Sequence, residues 1–238
     1  MNAAYAAAYP LLYRQHWWWR ARERILVTVI ENLLRDVPSP RLLDVGCGAG
    51  LFFDVLSGYG DVEGVESDRH AVEQSGRWRN HIRVGELSPD GAPFDLILLL
   101  DVLEHVADTQ PLLRTVAARL APGGHVLVTV PAFESLWTSH DVLNQHARRY
   151  SRSGLKADLV AGGLAVVDAS YLFQSMVGPK LGLAILERLV PRPPRVPKIP
   201  NPFVNDALQA WIRVEHRALG WLPFGGSVMA VASSPRKR

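Results

Sequence analysis

The chain has 238 residues, 48% hydrophobic and 21% charged, which suits one globular domain with a full core and excludes a disordered or fibrous chain. Its net charge of +3 equals that of the tail Arg236-Lys237-Arg238 alone, so the body is near neutral and no nucleic-acid partner is expected. The single Cys47 excludes an internal disulfide, the first residues lack the features of a signal peptide, and no apolar run approaches the ~20 residues of a membrane span.

In chain order, a helix is expected over 16–36, with Ile25, Val29, Ile30, Leu33 and Leu34 at helical spacing. Val37-Pro-Ser-Pro40 stops it. Leu42, Leu43 and Val45 then read as a buried parallel strand. Gly46, Gly48 and Gly50 follow it, and a helix from about Leu51 is expected to aim its first N–H groups at a ligand. A strand over 62–66, a helix from Arg69, a short strand over 82–84 and a strand over 94–100 come next. A helix over 111–120 is closed by Pro122-Gly-Gly124 ahead of a fifth strand over 126–130. This alternation predicts a parallel sheet with right-handed crossovers.

After Pro131 the pattern changes. Residues 132–150 are rich in Trp, His and Arg and read as a loop or short helices. Ser151 caps a predicted helix over 152–162, and a sixth strand covers 164–171. The seventh is expected over 227–232, so about 55 residues lie between the two, too many for a loop without structure of its own. They divide into an apolar helix over 177–189, a stiff proline run over 191–202 and a helix over 203–220. We expect one domain, 1–238: an N-terminal helical region (1–36), a core (41–172 plus 226–233) and a helical cap (173–225) over the cofactor.

The glycine loop carries the chemistry. Dinucleotide sites use G-x-G-x-x-G to hold a pyrophosphate, whereas here the spacing is Asp44-x-Gly46-x-Gly48-x-Gly50. A carboxylate just ahead of the glycines repels a pyrophosphate and suits a cationic ligand. Glu66, at the end of the second strand and in the range where Rossmann-type sites place an acid, suits ribose hydroxyls. The spacing resembles the first motif of class I S-adenosylmethionine-dependent methyltransferases. So do Val84-Gly-Glu86-Leu87, Phe94-Asp-Leu-Ile-Leu-Leu-Leu-Asp101-Val-Leu-Glu-His105-Val and Ala121-Pro-Gly-Gly-His-Val-Leu-Val-Thr-Val-Pro131, in order.

The resemblance implies an α/β, Rossmann-like, seven-stranded and mostly parallel sheet, with S-adenosyl-L-methionine as cofactor. It implies that Asp44, Gly46, Gly48 and Gly50 hold the methionine end, that Glu86 faces the adenine, and that Arg22 pairs with the cofactor carboxylate. A solvated loop acid and a helix-surface arginine are the plainer readings of the last two. Asp101 stands where many relatives carry a less polar residue, so it serves cofactor or substrate. The likeness is greatest to bacterial small-molecule methyltransferases of the ubiquinone type, in Trp17-Trp18-Trp19, in Trp137…His140-Asp141…His146…Arg148-Arg149-Tyr150 and in Pro223-Phe-Gly-Gly-Ser-Val.

The substrate side draws on that second stretch. His140 or His146 could take a proton from an acceptor hydroxyl, since imidazole titrates near working pH. Arg148 and Arg149 could clamp a carboxylate or phosphate, with Trp137 and Tyr150 beside them; alternatively Asp141 pairs with one arginine and holds the loop. His105 is a further base candidate, sharing a helical face with Asp101 if a helix starts at once. His140, Asp141 and His146 lack a firm third ligand, so no metal is expected. Cys47 reads as a filler where a small side chain is needed.

The expected activity is methyl transfer to a small, apolar or lipid-linked acceptor, with oxygen favoured over nitrogen or carbon. The apolar acceptor is motivated by Leu172, Phe173, Met176, Leu181, Leu183, Ile185 and Leu186 in and before the insertion, although core packing accounts for part of that set. Alternatives are a non-catalytic cofactor-binding or scaffold protein with this fold and, more remotely, a nucleic-acid methyltransferase. The expected compartment is the cytoplasm, with peripheral membrane contact through the apolar stretch or the basic tail left open, as is the oligomeric state.

Overall fold

The computed structural model describes residues 3–190, 193 and 195–235. Seven strands form one sheet in the order β3-β2-β1-β4-β5-β7-β6. They are β1 (Arg41–Val45), β2 (Asp61–Glu66), β3 (Ile82–Val84), β4 (Phe94–Leu100), β5 (Leu120–Pro131), β6 (Ala165–Leu172) and β7 (Ser227–Ser233). β1 runs parallel to β2 and β4, β3 parallel to β2, and β5 parallel to β4. Leu42, Leu96, Ile97, Leu98, Leu99 and Val126 to Val128 are fully enclosed, as parallel strands covered on both faces require. The strand order reverses between β1 and β4, the switch point outside whose carboxyl ends α/β sheets take ligands.

The helices are α1 (Ala3–Gln15), α2 (Trp17–Leu34), α3 (Phe53–Leu56), α4 (Arg69–Glu73), α5 (Gln110–Ala118), α6 (Ser139–Asn144), α7 (Arg152–Ala161), α8 (Val177–Leu189) and α9 (Pro202–Leu219). The chain divides into two compact units. One holds Met1–Ile30, Pro131–Ser151 and Ser170–Val228; the other holds Glu31–Val130, Arg152–Ala169 and Met229–Arg238. The second contains β1 to β4 entire and most of β5, β6 and β7. The first gathers the N-terminal helices, the segment after β5, and the insertion between β6 and β7.

Three elements depart from expectation. The N-terminal helix begins earlier and breaks at His16. There the Asn205 side chain accepts from Trp17 N and donates to Gln15 O, both at 2.8 Å, while His16 Nδ1 accepts from Trp18 N. The helix after the glycine loop is the single turn α3, whose N-cap residue Phe52 offers no capping side chain. β5 begins at Leu120, and the expected Pro-Gly-Gly turn lies inside it. The register shifts there, from Phe94 against Leu120 to Leu96 against His125.

α8 and α9 match their expected positions within a residue or so. Of the proline run, residues 191, 192 and 194 lie outside the described residues. The remainder, 195–201, has no regular structure, and its Val196 and Ile199 pack on the cluster of Tyr5, Leu12, Trp19 and Leu143.

Candidate functional site

In the second unit the loop after β1 is shaped by its glycines. Gly46 (φ +73°) cannot carry a side chain, because a Cβ there would lie 2.8 Å from Val102 Cγ2. Gly48 (φ +56°) faces open space, so its backbone is approachable, and its N–H donates to Glu66 Oε2 at 2.8 Å. The other oxygen, Glu66 Oε1, accepts from Asp68 N at 2.8 Å and Ser67 Oγ at 3.3 Å. This fixes a half-buried carboxylate at the strand end with acceptor capacity left over. Asp44 is buried just ahead of the loop, at 5% exposure. Two carboxylates around an exposed backbone turn fit a cationic ligand with ribose hydroxyls and do not fit a pyrophosphate. With α3 only one turn long, the loop and Glu66 supply this cradle, not a helix terminus.

Cys47 lies in the same turn. Its burial, together with the Asp44 and Glu66 carboxylates, pushes the thiol far above its ordinary pKa. Its Sγ stands 2.6 Å from where a Cβ on Gly64 of β2 would be, so it fills the space that glycine leaves. That is packing, not a nucleophile.

Glu86 is exposed on the loop after β3. Asp101, at the end of β4, takes a left-handed backbone (φ +59°). Its N–H donates to Thr129 O at 2.9 Å and its carboxylate accepts from Thr129 Oγ1 at 3.1 Å. The next residues form a 3-10 turn, Leu103–His105, not an α-helix. The shared helical face expected for Asp101 and His105 therefore does not form, and His105 is exposed.

In the first unit, residues 132–150 are organised by Asp141, which is fully enclosed. Its Oδ2 accepts from Thr138 N at 2.8 Å, capping α6, and from Arg149 Nη2 at 2.8 Å. Its Oδ1 meets Arg149 Nε and His146 Nδ1, each at 2.8 Å. Burial alone would raise this carboxyl's pKa, but the bonds from His146 and Arg149 outweigh it and hold the group well below the usual range. Arg149 also donates to Ala132 O, so its guanidinium is committed to the loop. Of the two readings, these contacts favour the one in which Arg149 pairs with Asp141 and holds the loop.

Tyr150 is buried and pairs with Ala132 through the backbone, Arg148 is half-buried, and Trp137 lines a cavity of about 450 Å³ with Glu134, Thr138, Val142, Ala184 and Arg188. His140 is pushed down to about 4, by burial first and then by Lys180. Asn144 Nδ2 approaches both His140 Nε2 (3.0 Å) and the His140 carbonyl (2.9 Å), so the amide donates and the ring nitrogen accepts. Its ring nitrogen is thus engaged by Asn144, which distinguishes it from His146 as a candidate base. At His146 the bond to Asp141 makes Nδ1 the donor, so the neutral ring carries its lone pair on Nε2.

On α2, Trp19 is buried, while Trp18 stacks on Phe173 with centroids 5.5 Å apart, and the Arg22 guanidinium lies 5.6 Å from the Trp18 ring. Arg22 is 7% exposed and so is no helix-surface residue. The sequence offered Asp141 as the partner of an arginine, but not its bonds to Thr138 and His146, nor Thr129 and Asn144. Only Thr138-x-x-Asp141 left a local trace, as a cap.

A family model described as a methyltransferase domain matches residues 18–169. A protein named ubiquinone biosynthesis O-methyltransferase from Caulobacter sp. (strain K31) is 38% identical over 105 residues, 37% of this chain and 39% of that protein. One of the same name from Sinorhizobium fredii is 28% identical over 177 residues, 61% and 70% of the two chains. The match thus spans less than half of the first relative and over two thirds of the second. Among solved structures, a TehB-like SAM-dependent methyltransferase from Corynebacterium glutamicum superposes with a TM-score of 0.56 at 18% identity, over 98% of this chain and all of that one. At that identity it speaks for the fold alone.

Proposed function

This chain belongs to the methyltransferase-domain family, and from that premise we propose that it methylates an oxygen of a small, apolar or lipid-linked acceptor, with His146 as the base. The cofactor is S-adenosyl-L-methionine, which when bound supplies an electrophilic methyl on a sulfonium. Glu66 would hold the ribose hydroxyls, the turn at Gly46 to Gly50 and Asp44 the methionine end, and Glu86 the adenine. Arg22 and Asp101 are proposed cofactor-side residues. The relatives named for ubiquinone biosynthesis support an apolar acceptor carrying a hydroxyl.

The observation that carries the assignment of the base is the bond between His146 Nδ1 and Asp141. It sets the tautomer, so that Nε2 takes the acceptor's proton as its oxygen attacks and the Asp141 carboxylate steadies the imidazolium. His105, exposed on the turn after β4, is the second candidate. Arg148, Trp137 and Tyr150 are the proposed acceptor contacts.

The test is transfer of labelled methyl to hydroxylated aromatic and isoprenoid acceptors. The wild type should turn over. His146→Gln should lower kcat by about 10²–10⁴-fold with cofactor affinity unchanged, the usual span of general-base effects. Undiminished turnover by His146→Gln would remove the base assignment.

A further inference from the structure

α9 is inside out. Its stripe Asn205, Gln209, Ile212 and the neighbouring Glu215 are 8%, 8%, 1% and 1% exposed, while Phe203 is 84%, Trp211 49% and Val214 59% exposed. The inward polar groups are in use: Asn205 bridges the break between α1 and α2, and Glu215 accepts from Ser175 N at 2.9 Å. Turning that face inward leaves the apolar stripe outside. α8 is apolar around most of its surface, and only its Ala184 is buried. Leu189 is 76% exposed, and Trp221, just beyond α9, is 75% exposed. An apolar face this extensive marks a surface that meets something other than water.

Charge identifies what it meets. Residues 177–224 hold seven Lys and Arg against three Asp and Glu, whereas residues 1–176 hold 16 basic against 20 acidic residues. Arg188, Arg195, Lys198, Arg213 and Arg217 are exposed. Of the three acids only Asp206 is exposed: Glu215 is buried, and Glu187 is taken up by Ser139. A second copy would bring a like-charged face against this one. No described helix is long and apolar enough to cross a membrane, and the 13 residues of α8 reach only about 20 Å. We propose that the outer face of α8, α9 and the turn after them docks on an anionic bilayer surface, with Phe203, Trp211, Trp221 and Leu189 at acyl-boundary depth and the arginines at the headgroups. The proposal stands whatever the acceptor is.

Flotation of the full chain with phosphatidylcholine vesicles, with and without phosphatidylglycerol, tests it. The protein should float only with the anionic vesicles, and less as salt rises. Leu189→Ser with Phe203→Ser should cut partitioning by about tenfold or more, as should Arg213→Glu with Arg217→Glu. These side chains are exposed, so far-UV dichroism and cofactor binding should match the wild type and separate this result from any failure of the fold or of the methyl-transfer reading. A wild-type protein that stays in solution with both vesicle types would overturn the proposal. So would a dimer that Leu189→Ser with Phe203→Ser turns into monomers, since a second copy would then cover the face.

Discussion

Asp141 holds the segment after β5 together through charge. It is fully enclosed, and its two oxygens meet His146, Arg149 and Thr138. Asp141→Asn leaves a buried guanidinium without its counter-charge, which should cost about 3–5 kcal/mol in urea unfolding. The carboxyl's folded pKa lies below its unfolded value of about 3.9, so its contribution is complete at neutral pH and fades only as pH falls below about 4. At Gly64 packing decides the outcome. A methyl there would meet Cys47 Sγ at 2.6 Å and Phe53 Cζ at 2.7 Å, so Gly64→Ala should destabilise by about 1–3 kcal/mol. Adding Cys47→Gly should recover part of that loss; strict additivity in the double-mutant cycle would contradict the filler role of Cys47.

Among the elements, the junction at His16 and the turn around His140 both depend on neutral imidazoles. Burial drives each down to about 4, with Lys180 adding to the effect at His140. Their folded pKa values lie below the unfolded value of about 6.5, so between those limits the unfolded chain binds more protons. Stability should therefore fall as pH drops from about 6.5 to 4 and stay level above. Urea midpoints across that range should show the slope, and His140→Gln should lessen it while His16 keeps its share; an unchanged slope would assign the proton uptake elsewhere.

What was legible in the sequence follows from how local each cause is. The buried strands, the glycine turn and α8 are written in adjacent residues, and they stand where the pattern puts them. The break at His16 depends on Asn205, far along the chain, and the extension of β5 depends on pairing with β4. The turn at Gly46 to Gly50 is a short-range motif and could be read. The choice between a clamp and a brace for Arg149 could not, because it turns on which side chain reaches Asp141 once the chain has folded.

For the whole molecule, the glycine turn and Glu66 belong to one compact unit and the Asp141–His146 pair to the other. Cofactor binding to the folded chain alone must raise its stability, by about 2.7 kcal/mol at a hundredfold excess over Kd, so thermal unfolding should shift upward with added S-adenosylhomocysteine. The most direct measurement is calorimetric titration of the full chain with S-adenosylhomocysteine, beside Glu66→Ala and Glu66→Gln. The wild type should bind at one site, with binding weakened about tenfold or more in both variants, because the paired ribose hydroxyls lose a charged acceptor. Absence of binding by a folded wild type, or undiminished affinity in both variants, would contradict it.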